Sequence, residues 1–338
     1  MHRSVGGIYS SLQAPTMTIA QPHLPIARYR LHFTALETVR LPHYAGSTWR
    51  GALGHSLKRS VCVTQLPQCA PCPLVHVCAY AWLFETPPPL GTEKMRKYPA
   101  VPHPFVVNPQ VGEVHLEAGE PYALELNLIG HGNRYLPYLL HGLERAGRQG
   151  VGKGMACMRL ESVEREVQVG SGNLQRIYCR GGPIDNAPAA APPVPLLSSE
   201  VVRIDLLTPL RLRREGRPVR PDAFRFVDLF TSLLRRVSML TYFHTDHPLE
   251  TDFAGLTQKA REVEWNDSQM VWRSWNRYSS RQGREVAMDG LMGYLVLPAQ
   301  DLAPFWPYLW LGQFIHAGAG TSMGQGRLRV EPLADDGH

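Results

Sequence analysis

Apolar and polar residues alternate through IARYRLHFTALETVRLP (26–42), a period of two that predicts a long strand. The period then changes. In STWRGALGHSLKRSVC, Trp49, Leu53, Leu57 and Val61 recur at helical spacing and form one apolar stripe, with Ser47 or Thr48 as the expected cap. After a cysteine segment and a proline-rich connector, strand patterns return at PFVVNP and in VHLEAGEPYALELNLIG, with a turn at Ala118-Gly119. NRYLPYLLHGLERAG reads as a helix, GRQGVGKGM as a glycine loop and MACMRLESVEREVQV as a strand. This order, β-α-β-β-α-β, recurs in the second half. VVRIDLLTPLRLRRE is a strand, PDAFRFVDLFTSLLRRVSMLTYF a helix, and TDFAGLTQKAREVEW a helical insertion. VWRSWNRYSSRQ and LMGYLVLP are strands, LAPFWPYLWLGQFIHAG a helix, and GRLRVEPL the closing strand.

The expected architecture is α+β, two tandem ferredoxin-like (β-α-β-β-α-β, RRM-like) domains with a cysteine-rich metal-binding insertion in the first. The boundaries are a flexible leader over 1–24, a first domain over 25–170 with its insertion at 62–104, a Pro/Ala-rich linker over 171–200, and a second domain over 201–333.

Composition fits two cores: 338 residues are too many for one ordinary core, and 44% are hydrophobic. The formal charge of +6 admits a polyanionic partner. Only five of the 35 basic residues are lysines, which leaves 30 arginines, whose planar fork suits phosphate and base edges. Codon usage in a GC-rich genome would produce the same bias. No run approaches the roughly 18 apolar residues of a membrane span. The start lacks an apolar signal-peptide centre, so a cytoplasmic protein is expected.

Four groups of residues carry candidate chemistry. In HAGAGTSMGQGRLRV, Gly318, Gly320, Gly324 and Gly326 surround Thr321 and Ser322, with His316 before them and Arg327 after. Bare backbone allows N–H groups to face an anion, although a tight helix-to-strand connection needs the same glycines. The first-domain loop around Lys153 offers a second such site. Next, Cys62, Cys69, Cys72 and Cys78 have the spacing of a tetrahedral thiolate site, with structural zinc the first choice and an iron–sulfur cluster the rival. Third, His55 and Lys58 fall on the helix face opposite the apolar stripe, so His55 is free to exchange protons and Lys58 to stabilise charge on a phosphate. His43 and Tyr44, just before the helix, form a second pair. Fourth, strand alternation puts Arg273, Trp275 and Arg277 on one face, followed by Arg281 and Gln282, a pattern suited to stacking bases and pairing phosphates. Arg50 joins these contacts from the first helix.

Together LPHYAGSTWRGALGHSLKRSVC, CAPCPLVHVCAYAWLFETPPP, NRYSSRQ and the terminal glycine loop resemble the CRISPR-associated endoribonucleases of the RAMP (repeat-associated mysterious protein) superfamily. The resemblance implies two ferredoxin-like domains holding a CRISPR repeat RNA, often as a stem-loop. It also implies metal-independent cleavage through attack of a 2′-hydroxyl, leaving a 2′,3′-cyclic phosphate and a 5′-hydroxyl. His55 takes the role of acid or base, with His43 in reserve. The product is either released or kept as crRNA in a complex with other effector subunits. Two rivals stand beside this reading: a non-catalytic RAMP subunit that binds crRNA, and a zinc-containing RNA-binding protein outside CRISPR.

Overall fold

The computed structural model describes residues 21–92, 101–279 and 284–333. In β1 (Ile26–Ala35), Tyr29, Leu31, Phe33 and Ala35 are buried, while Arg28, Arg30, His32 and Thr34 occupy the more open face. The period of two holds from Ala27 to Ala35, with Ile26 buried as well. α1 (Gly46–Val61) packs Trp49, Leu53 and Leu57 onto the buried face, and the indole N–H of Trp49 donates to the Tyr122 hydroxyl at 3.0 Å. There follow β2 (Phe105–Pro109), β3 (Pro121–Ile129), α2 (Leu136–Gln149) and β4 (Met158–Glu166). The sheet runs β2-β3-β1-β4 with every pairing antiparallel, so the first and third strands of β-α-β-β-α-β lie in the middle.

A fifth strand, β5 (Leu174–Cys179), extends this sheet beyond β4 and falls inside the stretch expected to be linker. The remaining linker is held in place as well. The Arg165 guanidinium donates to the carbonyls of Ala187 and Pro188, and the Ile26 N–H donates to Ala190 at 2.9 Å. Prolines remove ladder donors, and side-chain-to-carbonyl bonds replace them.

The second half repeats the threading. β6 (Val201–Leu210) is followed by α3 (Phe226–His244), the inserted α4 (Phe253–Ala260), and β7 (Asp267–Arg273). β8 (Asn276–Ser279) and β9 (Arg284–Ala287) form a separate hairpin. β10 (Gly290–Pro298), α5 (Trp306–Ile315) and β11 (Leu328–Leu333) complete the domain, whose main sheet runs β7-β10-β6-β11, again all antiparallel. The molecule is therefore mixed α+β with antiparallel sheets.

Two expected strands are cut short. The first strand of this half ends at Leu210 rather than continuing to residue 215. The stretch VWRSWNRYSSRQ breaks after Arg273, so Arg273, Trp275 and Arg277 do not share one strand face. Trp275 explains the break: its N–H donates to the Asp289 carboxylate at 3.2 Å and its carbonyl accepts from Met288 at 2.7 Å, which leads the chain out of the main sheet. Each half has its own core, but Leu24, Ile26 and Ile129 join the core of the second, so the two units are packed together. No helix among the described residues is long and apolar enough to cross a membrane.

Candidate active site

α1 starts where the two domains meet. Its N-cap is Ala45, which supplies no side-chain acceptor, and the expected caps Ser47 and Thr48 lie inside the helix. The first turn also lacks an acidic residue, so its amides keep the partial positive charge of a helix N-terminus. Gly46 and Ser47 of that turn line a cleft together with His43 and Tyr44. Asn108, Pro109, Gln110 and Val111, at the end of β2, continue the same wall. Thr208, Trp275, Met288 and Met323–Gln325 close the cleft from the second domain.

His43 is exposed in this cleft, and its ring meets Tyr44 edge-on with centroids 4.6 Å apart. Its carbonyl accepts the Gly112 N–H at 3.0 Å, which fixes the backbone beneath the ring. Tyr44 is half-buried, meets Trp275 edge-on at 5.1 Å and donates its hydroxyl to the Met292 sulfur at 3.1 Å. Burial raises the Tyr44 pKa, with the nearby charge of Arg273 opposing the shift. The break after Arg273 thus turns Trp275 onto Tyr44 and leaves Arg273 within electrostatic reach of it.

His55 and Lys58 stand apart from this group. His55 is exposed on α1 and lines no part of the cleft. The Lys58 ammonium donates to the Pro67 carbonyl at 3.2 Å and lies over the Tyr80 ring at 5.5 Å, where it braces the cysteine segment.

The terminal glycine loop, expected to hold RNA, serves largely as a seam between the domains. A Cβ on Gly46 would lie 1.9 Å from the Met323 carbonyl oxygen, and one on Gly324 would lie 2.8 Å from that of Val107. Thr321 and Ser322 are buried, and Ser322 Oγ accepts from Arg50 Nε at 3.1 Å. His316 is fully buried as well, with its Nδ1–H donating to the Gln325 carbonyl at 3.1 Å, so it is unavailable to RNA. Burial pushes its pKa down to about 3, with Arg327 contributing. Gly326 is buried, whereas Gly318 and Gly320 retain some exposure around the open Ala319. Arg327, partly buried, faces the Glu125 carboxylate at 3.7 Å.

Arg50 also donates to His103 Nε2 at 3.2 Å and lies 5.2 Å from the Phe84 ring, so it ties the domains together. Lys153 is exposed on the other glycine loop, whose backbone rests on the Arg40 carbonyl just upstream of His43. Arg281, Gln282 and the Arg277 side chain lie outside the described residues.

All four clustered cysteines line a second cleft, of about 450 Å³, at the far end of α1. Among the described residues no three Cys, His, Asp or Glu side chains stand close enough to clasp one metal ion.

Comparison with known proteins divides the chain near its linker. A family model described as an N-terminal domain matches residues 24–189, and one described as CRISPR-associated endoribonuclease Cas6 matches residues 204–328. The second half of the chain is therefore similar to Cas6. An uncharacterized protein of Archaeoglobus fulgidus is 31% identical over 122 residues, which span 36% of this chain and 39% of that one. Two solved structures share the fold at 17% identity. A Cas6 product complex aligns over 90% of this chain and 100% of its own, with a TM-score of 0.53. Thermus thermophilus Cas6 aligns over 91% and 99%, with a TM-score of 0.50.

The cleft lies between the two matched regions, with His43 and Tyr44 in the first and Trp275 and Gly324 in the second. Asn108, Gln110, Thr208, Met288 and Gln325 also line it and were not anticipated. Nothing local marks them: each sits in an ordinary strand end or loop, and only packing of the two halves brings them together.

Proposed function

We propose that this protein cuts precursor CRISPR RNA within its repeats, with His43 as the acid–base residue in place of the expected His55. The reading rests on one observation: in a chain whose second half is similar to Cas6, His43 is the exposed imidazole of a cleft to which both domains contribute. An imidazole titrates near neutral pH, so it can take the proton of a ribose 2′-hydroxyl or return one to the departing 5′-oxygen. The freed 2′-oxygen attacks the adjacent phosphorus, the bond to the 5′-oxygen breaks, and a 2′,3′-cyclic phosphate and a 5′-hydroxyl result. No metal enters this step. The uncapped α1 terminus favours the phosphate, Trp275 offers a face for a base, and Arg273 adds positive charge nearby.

A Cas6 product complex among the fold relatives agrees with an RNA that remains bound after cutting. The ligand is accordingly a repeat RNA, held between two ferredoxin-like modules as a stem-loop or single strand. Other CRISPR effector subunits are the expected recipients of the crRNA.

The test is cleavage of a repeat transcript in EDTA by the wild type, His43→Ala and His55→Ala. Cutting at one site that is lost in His43→Ala, with affinity within a few-fold, and kept in His55→Ala is the expected result. Binding without cutting by the wild type would instead identify a non-catalytic RAMP subunit.

A further inference from the structure

Six arginines and two acids crowd the stretch RLRREGRPVRPDAFR (211–225), between β6 and α3. Arg213 and Arg214 pair with Arg217 and Pro218 in a short hairpin. Glu215 and Gly216 form its turn with φ values of 51° and 81°, both in the left-handed region that a two-residue hairpin turn uses. The register sets Arg217 directly opposite Arg214, where two like charges repel. Asp228 neutralises Arg214, with Oδ1 accepting from Nε at 2.9 Å, and Arg217 keeps its charge.

On the two main sheets, by contrast, arginines are answered by acids. Arg28 and Arg30 meet Glu125 at 3.4 and 3.2 Å, and Arg203 and Arg329 meet Asp205 at 2.9 and 3.0 Å. Arg159 and Arg180 share Glu161. Around the hairpin, Arg211, Arg213, Arg217, Arg220 and Arg273 form no ion pair among the described residues, and all but Arg211 are exposed. Glu215 at the tip and Asp222 are the acids beside them in the chain, and both face solvent. Positive charge left uncompensated at one corner is an attachment point for a polyanion.

That corner adjoins the cleft. Leu291 of β10 pairs with Trp272 on one side and Leu210 on the other, so the ends of β6 and β7 lie about 10 Å apart. Arg211 follows Leu210 and donates from Nη1 to the Sδ of Met288, a cleft residue, at 3.8 Å. Its carbonyl accepts the Ala319 N–H at 3.1 Å, which joins the base of the hairpin to the terminal glycine loop. The Arg220 guanidinium lies 3.9 Å over the Trp272 ring, beside Arg273. The hairpin begins two residues beyond Arg211, about 7 Å of extended chain. A strand of RNA that leaves the cleft past Met288 therefore meets these guanidinium groups in turn. We propose that the hairpin, through Arg213 and Arg217, holds backbone phosphates of the RNA flank that leaves the cleft. The inference rests on the reading of the cleft as an RNA site. Guanidinium forks match phosphate oxygens, and such contacts position a nucleic acid without reading its bases.

The test is binding of labelled repeat RNA by the full-length protein as a function of salt. Three proteins are compared: the wild type, Arg213→Gln/Arg217→Gln, and Arg159→Gln/Arg180→Gln as a control of equal charge change. Loss of two phosphate contacts lowers the slope of log K against log salt by about 1.4 to 1.8 in the hairpin variant. The control keeps the wild-type slope, and the hairpin effect persists when the flanking sequence is scrambled at constant length. Should the double variant fail to fold, Arg217→Gln alone carries the test, with a slope lower by about 0.7 to 0.9. An unchanged slope overturns the proposal and leaves the hairpin for an acidic protein surface. An equal drop in the control overturns it too, because net charge alone would then explain the loss. Wild type that binds no repeat RNA removes the cleft reading as well, whereas wild-type binding with an unchanged slope in the variant removes the hairpin alone.

Discussion

His43 and His55 are both exposed imidazoles on the polar side of the same sequence block, and their surroundings distinguish them. His43 has Tyr44 against its ring and Trp275 one ring further on, whereas His55 lies outside the cleft. Trp275 offers a measurement of its own. Stacking of a base on an aromatic side chain contributes about 1–3 kcal/mol, so Trp275→Ala should weaken repeat-RNA binding by roughly 5- to 150-fold. A titration with labelled repeat RNA reads the change. An unaltered Kd would leave Trp275 as a packing partner of Tyr44 alone.

At the scale of elements, the start of α1 and the terminal glycine loop act as one unit. The loop glycines were expected to admit RNA phosphates to bare backbone, but several of them admit the other domain instead. Gly46 shows the tightness: its missing Cβ would lie 1.9 Å from the Met323 carbonyl oxygen, and backbone cannot swing aside as a side chain can. Overpacking of this kind costs about 1–3 kcal/mol. Gly46→Ala should therefore lower the denaturation midpoint by a corresponding amount, whereas Gly51→Ala, with nothing near its Cβ, should not lower it. Equal midpoints for the two variants would mean that the seam yields more easily than its geometry implies.

Across the whole molecule, the two domains share a buried basic seam. Burial, assisted by Arg50, Arg236 and His244, pushes the His103 pKa down to about 3. Burial pushes His244 down to about 4, against its bond to the Pro102 carbonyl, and His316 down to about 3. Burial of its head group draws the half-buried Arg236 down to about 9, and its Nη2 has no hydrogen-bond partner among the described residues. Three histidines that stay neutral when folded take up protons once unfolded, so below an unfolded pKa near 6.5 the unfolded state binds more protons. Stability is therefore complete above pH 6.5 and falls progressively toward pH 4. A Tm lower at pH 5 than at pH 7.5 is expected by calorimetry. A Tm that holds or rises over that interval would show that these histidines are protonated within the fold.

The sequence by itself determined the elements. The period of two in β1, the stripe of Trp49, Leu53 and Leu57, and the repeated β-α-β-β-α-β order follow from which side chains must leave water, and neighbours along the chain settle that question. Clustering of four cysteines within a short segment was equally plain, because spacing alone limits which sulfurs can meet. The break at Trp275, the added strand β5 and the burial of His316 were decided only by the tertiary structure. Each depends on a partner that the local period does not reveal: Asp289 for Trp275, β4 for β5, and the Gln325 carbonyl for His316. The candidate site has the same origin. His43 becomes distinct from His55 only when Trp275 and Gly324 arrive from the other half of the chain, and no local period encodes that approach.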